Sequence, residues 1–158
     1  MQILIVYDSF FGNTEQVARQ IGAALGKNHA VETVRVGEVT AERAAAADWV
    51  IVGSPTRGFR PSEGTAKFLE SFGRGSLAGK KVAAFDTRIP VETIQSGLLR
   101  FLVDKGGYAA PRIARKLKNS GGQLAAAPEG FFVTGTEGPL QDGELERAAQ
   151  WAESLFAA

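Results

Sequence analysis

Cysteine is absent from the sequence and histidine occurs once, which excludes several kinds of chemistry. Without cysteine the chain has no disulfide, no thiolate nucleophile and no iron–sulfur cluster, and it lacks the usual ligands of a structural zinc site. The single histidine, His29, lies in the polar stretch GKNHA. Hydrolysis by a serine–histidine–aspartate triad and binding of a metal by several histidines therefore both lack necessary side chains.

An excess of either charge is also missing. Lysine and arginine together number 18 and aspartate and glutamate 17, so the formal net charge is +1. A nearly neutral chain gives no reason to expect a nucleic-acid or membrane partner. One basic stretch, RIARKLK at 112–118, could touch nucleic acid or anionic lipid. Its Ile113 and Leu117 have helical spacing, however, which favours a surface helix docked by one face.

Long apolar runs are lacking as well. The first one, QILIV at 2–6, is too short to cross a bilayer, and no basic leader precedes it. We therefore expect a cytoplasmic protein whose first residues form a strand. With 44% hydrophobic residues, the chain has material for one buried core, and we expect a single domain over 1–158.

What the sequence does contain is an alternation of strand and helix patterns. Apolar runs without strict alternation are typical of strands buried on both faces, and they occur at 3–7, 49–53 and 81–85. The run at 30–36 alternates and suits an outer strand. Helices are predicted where apolar residues have helical spacing or where a residue that favours a helix start precedes such a stretch. These helices lie at 14–26, 40–47, 61–72, 111–122 and 142–157, with Thr40 and Asp142 as N-caps. This order predicts an α/β fold with a doubly wound parallel sheet.

Two stretches depart from the simple alternation. Residues 90–110 are too many and too apolar for a surface connection, and we expect a short helix at 94–105 that mediates self-association, such as a homodimer, or docks a partner. The stretch GQLAAAPEGFFVTG at 122–135 indicates one strand interrupted at Pro128–Gly130, because proline cannot donate to a central ladder.

The loop DSFFGNT at 8–14 carries the main functional signal. In an open parallel sheet, ligands bind beyond the carboxyl ends of the strands, where the loops after the first, third and fourth strands should converge. This loop leads directly into a helix N-terminus, whose free amides attract an anion. Ser9, Asn13 and Thr14 add neutral donors, which predicts a phosphate site. The alternative is that these three residues only cap the helix.

Three stretches of the chain resemble the flavodoxin family. The run IVYDSFFGNTEQVA at 5–18 is similar to the family's first motif, GSPTRGFRP at 53–61 resembles its flavin-facing second loop, and residues 131–151 resemble its final strand and helix. The first motif is carried by Tyr7, Ser9, Gly12, Thr14 and Ala18. The resemblance implies a three-layer fold with a five-stranded sheet of order 2-1-3-4-5. It also implies a bound flavin mononucleotide (FMN) and electron transfer to redox partner proteins.

The resemblance also implies which residues meet the cofactor. The FMN phosphate would be held by Ser9, Phe10, Phe11, Gly12, Asn13 and Thr14. One side of the flavin ring would be lined by Pro55, Thr56, Arg57, Gly58 and Phe59. The pyrimidine edge of the ring would meet Asp86, Thr87 and Arg88. We expect no metal ligands and no catalytic side chains among these residues.

The sequence departs from the family's pattern at three points. Phe11 stands where many flavodoxins have a third hydroxyl residue, and the loop FDTRIP at 85–90 lacks the tyrosine that usually stacks on the flavin. Phe59 is the aromatic residue available in these loops, either for stacking or as an anchor of its own loop. Typical flavodoxins are strongly acidic around the flavin, whereas this chain has Arg57, Arg60 and Arg88 there. These arginines could tune the flavin or pair with nearby carboxylates.

Three functions therefore remain open from the sequence. The first is an FMN-binding electron carrier with no substrate of its own. The second is an enzyme, an NAD(P)H-dependent quinone or FMN oxidoreductase, in which the arginines would serve the acceptor or the NADPH phosphate. The third is a regulatory or structural module that has kept the fold and lost tight FMN binding.

Overall fold

The computed structural model describes residues 1–90, 97 and 107–157. In these residues the elements are β1 (Gln2–Tyr7), α1 (Asn13–Leu25), β2 (Ala30–Arg35), α2 (Ala41–Ala45), β3 (Trp49–Pro55), α3 (Glu63–Glu70), β4 (Lys81–Arg88), α4 (Ala109–Asn119), β5 (Gln123–Leu124), β6 (Glu129–Phe132) and α5 (Glu144–Ser154). The helix and the self-association surface expected at 94–105 lie outside the described residues, apart from Gly97. No helix in the described ranges is long and apolar enough to span a bilayer.

The strands form one parallel sheet in the order β2-β1-β3-β4-β5, and β6 pairs with β4. This confirms the predicted order 2-1-3-4-5. The carboxyl ends of β1, β3, β4 and β6 lie along one edge, because parallel strands all run in the same direction. The loops that follow these four strands therefore converge at that edge, as expected for a ligand site in such a sheet.

β5 and β6 are two parts of one interrupted fifth strand. Lys81 of β4 pairs with Gln123, and Phe85 of the same strand pairs with Glu129. The interruption lies at residues 125–128, slightly before the predicted position, and Gly130 is within β6. A side chain at Gly130 would place its Cβ 2.1 Å from Nε of Arg88. Glycine is therefore needed at 130 for the Arg88 side chain to lie across β6.

Two apolar cores cover the two faces of the sheet, which gives three layers. On β1, Ile3, Ile5 and Tyr7 belong to the core shared with α1 and α5. Leu4 and Val6 point the other way and belong to the core shared with α2, α3 and α4. Both faces of the central strands are therefore buried, as the unbroken apolar runs predict.

Of the two N-caps predicted from the sequence, one is confirmed and one is wrong. Thr40 caps α2 by accepting a hydrogen bond from the Arg43 amide at 3.2 Å, as predicted. The predicted cap at Asp142 is wrong, since α5 begins after Gly143, whose φ is 84°. The left-handed conformation favours glycine at that position. The side chain of Glu144, the first residue of α5, instead accepts the amide of Phe132 at 2.6 Å and so joins α5 to the end of β6.

Glu144→Gln is expected to lower the free energy of unfolding at pH 7 by about 1–2 kcal/mol. Burial alone would raise the pKa of the Glu144 carboxyl, but hydrogen bonds from Arg147 and the Phe132 amide outweigh it and hold the pKa below its usual value. A carboxyl with a lowered pKa stabilises the folded state above its unfolded-state pKa, and the contribution is lost as the pH falls through the folded-state pKa. Urea unfolding at pH 7 and at falling pH below 4.5 should show that the stability difference between the wild type and Glu144→Gln shrinks. A difference that stays constant with pH would contradict an origin in the charged carboxylate.

Candidate functional site

The N-terminus of α1 has no capping side chain. Gly12, the residue before α1, has φ 90°, and no side chain accepts a hydrogen bond from the first turn. By contrast, α2 and α3 are capped by the hydroxyls of Thr40 and Ser62. The interpretation of Ser9, Asn13 and Thr14 as mere caps is therefore wrong. The first-turn amides of α1 remain available to an anion, which the helix dipole also attracts.

Two hydroxyl groups beside these amides keep a proton to donate. Oγ of Ser9 accepts the Gly12 amide at 3.0 Å, and this leaves the hydroxyl proton of Ser9 unused. Oγ1 of Thr14 and Oγ1 of Thr87 are 2.7 Å apart, so one of these hydroxyls donates to the other. The hydroxyl that accepts in this pair keeps its own proton. Because Ser9, Thr14 and Thr87 are all buried, an anion that reaches these hydroxyls would be partly shielded from water.

Asn13 connects the start of α1 to the loop that follows β6. Its Nδ2 donates to the carbonyl of Glu137 at 3.1 Å. Gly138, with φ 96°, packs so closely on Asn13 that a Cβ would lie 2.5 Å from Oδ1. The loop after β6 is thereby held against the end of the sheet where the other loops meet.

The second loop forms a tight hairpin after β3. Arg57 and Arg60 exchange amide-to-carbonyl hydrogen bonds of 2.8 and 3.2 Å. Gly58 and Phe59 at the turn have φ of 55° and 67°, as a two-residue type I′ turn requires. Left-handed backbone costs a side-chain-bearing residue about 1–2 kcal/mol, so Phe59 carries local strain. The Arg57 guanidinium lies 4.8 Å from the centre of the Phe10 ring and joins this hairpin to the first loop.

Asp86 at the end of β4 is fully buried and bound on both oxygens. Its carboxylate accepts from Nε and Nη2 of Arg88 at 2.6 and 2.7 Å, and from the Ala110 amide at 2.8 Å. Burial raises the pKa of the Asp86 carboxyl, while Arg88 and the Ala110 amide oppose the rise. Oγ1 of Thr56 accepts the neighbouring Ala109 amide at 3.1 Å. The first amides of α4 are therefore capped by side chains from β4 and from just after β3.

These loops enclose a cavity of about 240 Å³ at the carboxyl edge of the sheet. It collects eleven of the fourteen residues predicted to meet a cofactor, namely Ser9, Phe10, Phe11, Asn13, Thr14, Pro55, Thr56, Arg57, Gly58, Thr87 and Arg88. The other three, Gly12, Phe59 and Asp86, do not line it. Asp86 instead faces Arg88 and α4, so its side chain is not brought to the position inferred for it at the ring edge.

Sequence reasoning missed three residues that line the cavity, which are Ile89, Val133 and Thr136. Val133 and Thr136 follow β6, the part of the fifth strand that reaches the carboxyl edge. The convergence of loops at this edge also predicts this loop, because the fifth strand ends there beside the first, third and fourth.

The three arginines expected around the cavity have different roles. Arg88 is paired with Asp86, and its guanidinium lies 3.8 Å from the centre of the Tyr108 ring. Arg60 does not line the cavity and instead lines a neighbouring groove. Arg57 alone is both exposed and part of the cavity wall, and it has no ion-pair partner among the described residues.

The residues present fit a phosphorylated planar ligand. An uncapped helix N-terminus with buried neutral donors lies at one part of the cavity, and Thr87 links it to the loop after β4. Of the cations beside the first loop, Arg35 is engaged by the Ser9 carbonyl at 2.8 Å and by Asp8 at 3.5 Å, and Arg57 lies over the Phe10 ring. The amides and hydroxyls at the start of α1 are therefore the groups that would hold a phosphate in this cavity.

Comparison with known proteins gives a family match and structural matches. The family model described as Flavodoxin domain matches residues 4–90, more than half of the chain. No curated protein sequence matches. Among solved structures, oxidised flavodoxin 2 from Bacillus cereus is 25% identical with a TM-score of 0.78, over 98% of this chain and 97% of that one. The two-electron reduced flavodoxin of Megasphaera elsdenii is 21% identical with a TM-score of 0.66, over 96% of this chain and 98% of that one.

Proposed function

Because this chain belongs to the flavodoxin domain family, we propose that it binds FMN and carries electrons between redox partner proteins. The observation that carries the proposal is the uncapped N-terminus of α1, flanked by buried hydroxyls, at the cavity where four loops meet. When bound, FMN supplies the ability to take up and release electrons. The protein's contribution is to bind, orient and partly shield it.

The phosphate would be held by the α1 N-terminus. Its first-turn amides and the hydroxyls of Ser9 and Thr14 supply donors without any lysine. The ring would lie against the hairpin residues that line the cavity, Pro55 to Gly58, and would meet Thr87 and Arg88 at one edge. Tyr108 supports that edge from behind, because the Arg88 guanidinium stacks on it.

The mouth of the cavity is suited to contact with another molecule. Phe10 and Phe11 are 54% and 47% exposed, although large apolar side chains are usually buried. Both also line the cavity. A redox partner that covers them would approach the bound cofactor directly and exclude water from the contact.

A second candidate function is that of an NAD(P)H-dependent oxidoreductase. The exposed Arg57 at the cavity wall favours it, since a guanidinium without an ion-pair partner among the described residues suits the phosphate of NADPH. NADPH and menadione added to the FMN-loaded protein distinguish the two functions. Steady NADPH consumption would support the enzyme, and its absence would support the carrier.

We expect one FMN to bind per chain, because the α1 anion site and the loops around it occur once. Titration of the apo-protein, followed by flavin absorbance or fluorescence, should saturate at a one-to-one ratio. The absence of binding up to millimolar FMN would contradict the proposal and would leave the third possibility, a module that has lost its cofactor. The visible spectrum of the purified protein tests independently whether a flavin is bound.

A further inference from the structure

A second concave surface lies beside the candidate cofactor cavity. We call it the α3–α4 groove, because it is formed mainly by α3, α4 and the residues just before α3, and its volume is about 300 Å³. The charged residues that line it are Arg60, Glu70, Arg112, Arg115 and Lys116. Four cations therefore face one carboxylate in a chain whose total net charge is only +1.

Within the residues that the structure describes, the four cations of the groove have no ion-pair partner, whereas many other cations are paired. Ion pairs are formed by Arg19, Arg35, Arg43, Lys67, Arg88 and Arg147. In the described part of the chain, the groove cations form none, and all four are exposed. Their positive charge is therefore available to a partner.

The packing of α4 does not explain these charges. Ile113 and Leu117 are fully buried against the sheet and fix the helix through its apolar face. Lys116 lies in the last turn of α4, where a cation stabilises the helix C-terminus, and this alone can explain its charge. That argument does not extend to Arg112 and Arg115, which lie earlier on the exposed face, or to Arg60, which lies on another segment.

The groove borders the hairpin that forms part of the wall of the cofactor cavity. The hairpin at 57–60 joins them, because Arg57 lines the cavity while its backbone partner Arg60 lines the groove. A protein seated in the groove would therefore touch the loop that borders the cofactor site. The exposed Phe10, which contacts Arg57, lies on the cavity side of the same hairpin.

We propose that the α3–α4 groove docks an acidic surface patch of a redox partner protein, which brings that partner's electron-transfer centre to the cavity mouth. This inference rests on the proposed electron-transfer function. Charge complementarity selects the occupant, since four unpaired cations raise the encounter rate with an anionic protein and repel a basic one.

The test reverses two groove charges outside the cofactor site, Arg112→Glu with Arg115→Glu. The matched control, Lys27→Glu with Arg74→Glu, makes the same net charge change at exposed positions outside the groove. The probes are two one-electron haem proteins of opposite charge, acidic cytochrome b5 and basic cytochrome c. Binding is measured by NMR titration at low and high salt, with and without FMN. Reoxidation of the photoreduced, FMN-loaded protein is followed by stopped flow.

The wild type is expected to bind cytochrome b5 in preference to cytochrome c, and more weakly at high salt. The groove variant should lose about tenfold or more in affinity and reoxidation rate towards cytochrome b5, while the control variant and FMN affinity change little. The proposal would be overturned if the groove variant and the control variant weakened cytochrome b5 binding equally. It would also be overturned if the NMR chemical-shift changes lay away from α3 and α4, or if the groove variant kept the wild-type affinity for cytochrome b5. Failure to bind FMN would refute the proposed function separately, because the binding arm also runs on apo-protein.

Discussion

Asp86→Ala is expected to lower the free energy of unfolding by about 3–5 kcal/mol, because it leaves a largely buried guanidinium without its partner. Asp86 is fully buried, and the Arg88 side chain that it binds is only 17% exposed. The Ala110 amide at the start of α4 loses its acceptor in the same variant. Both groups would remain away from water without a hydrogen bond, and desolvation without compensation is costly.

Urea unfolding of three variants measures this effect. Arg88→Met removes the charge and keeps much of the side chain, so Asp86→Ala combined with Arg88→Met should be more stable than Asp86→Ala alone. If the stability losses of Asp86→Ala and Arg88→Met simply add in the double variant, the unpaired guanidinium is not the cause of the loss in Asp86→Ala. The exposed Asp142→Ala serves as the control and should change stability by less than about 0.5 kcal/mol.

Thr14→Ala is expected to weaken FMN binding by roughly 10- to 150-fold, as removal of a hydrogen bond to a charged group costs about 1.5–3 kcal/mol. Thr14 is 1% exposed in the first turn of α1, where its hydroxyl meets that of Thr87. Riboflavin lacks the phosphate, so its affinity should change far less. The comparison of the two ligands thus isolates the anion site from the ring site.

Two further variants control for the packing of Thr14. Thr14→Ser keeps the hydroxyl and should retain most of the FMN affinity. Thr14→Val keeps the volume, loses the hydroxyl, and should behave like Thr14→Ala. Equal weakening of FMN and riboflavin in parallel calorimetric titrations would mean that Thr14 supports the fold of the loop and donates nothing to the phosphate.

The sheet and the first loop could be predicted from the sequence because their signals are local. Apolar runs buried on both faces identify β1, β3 and β4, and the residues of 8–14 mark the loop that leads into α1, where the anion site stays a prediction. The position of the strand interruption was off by a few residues because proline marks a break without fixing its extent. Family resemblance, by contrast, supplied the strand order.

The parts that escaped prediction depend on contacts between distant segments. Asp86 follows an apolar strand like a ligand-facing residue, but α4 and Arg88 require its carboxylate inside the protein. Arg60 is three residues from Arg57, yet the hairpin turn sends the two into different concave surfaces. Val133 joins the cavity because β6 ends at the same edge as β4, which is a property of the assembled sheet.

The capping of α4 has a consequence for local unfolding. A helix that carries its own cap can fray or re-form by itself, but the first two amides of α4 are held by Thr56 and Asp86. Opening of α4 at its N-terminus therefore breaks bonds to the ends of β3 and β4, and disturbance of either strand end releases the helix. We therefore expect these three segments to open together, so that the amides of Ala109 and Ala110 exchange with solvent only when the cavity wall opens.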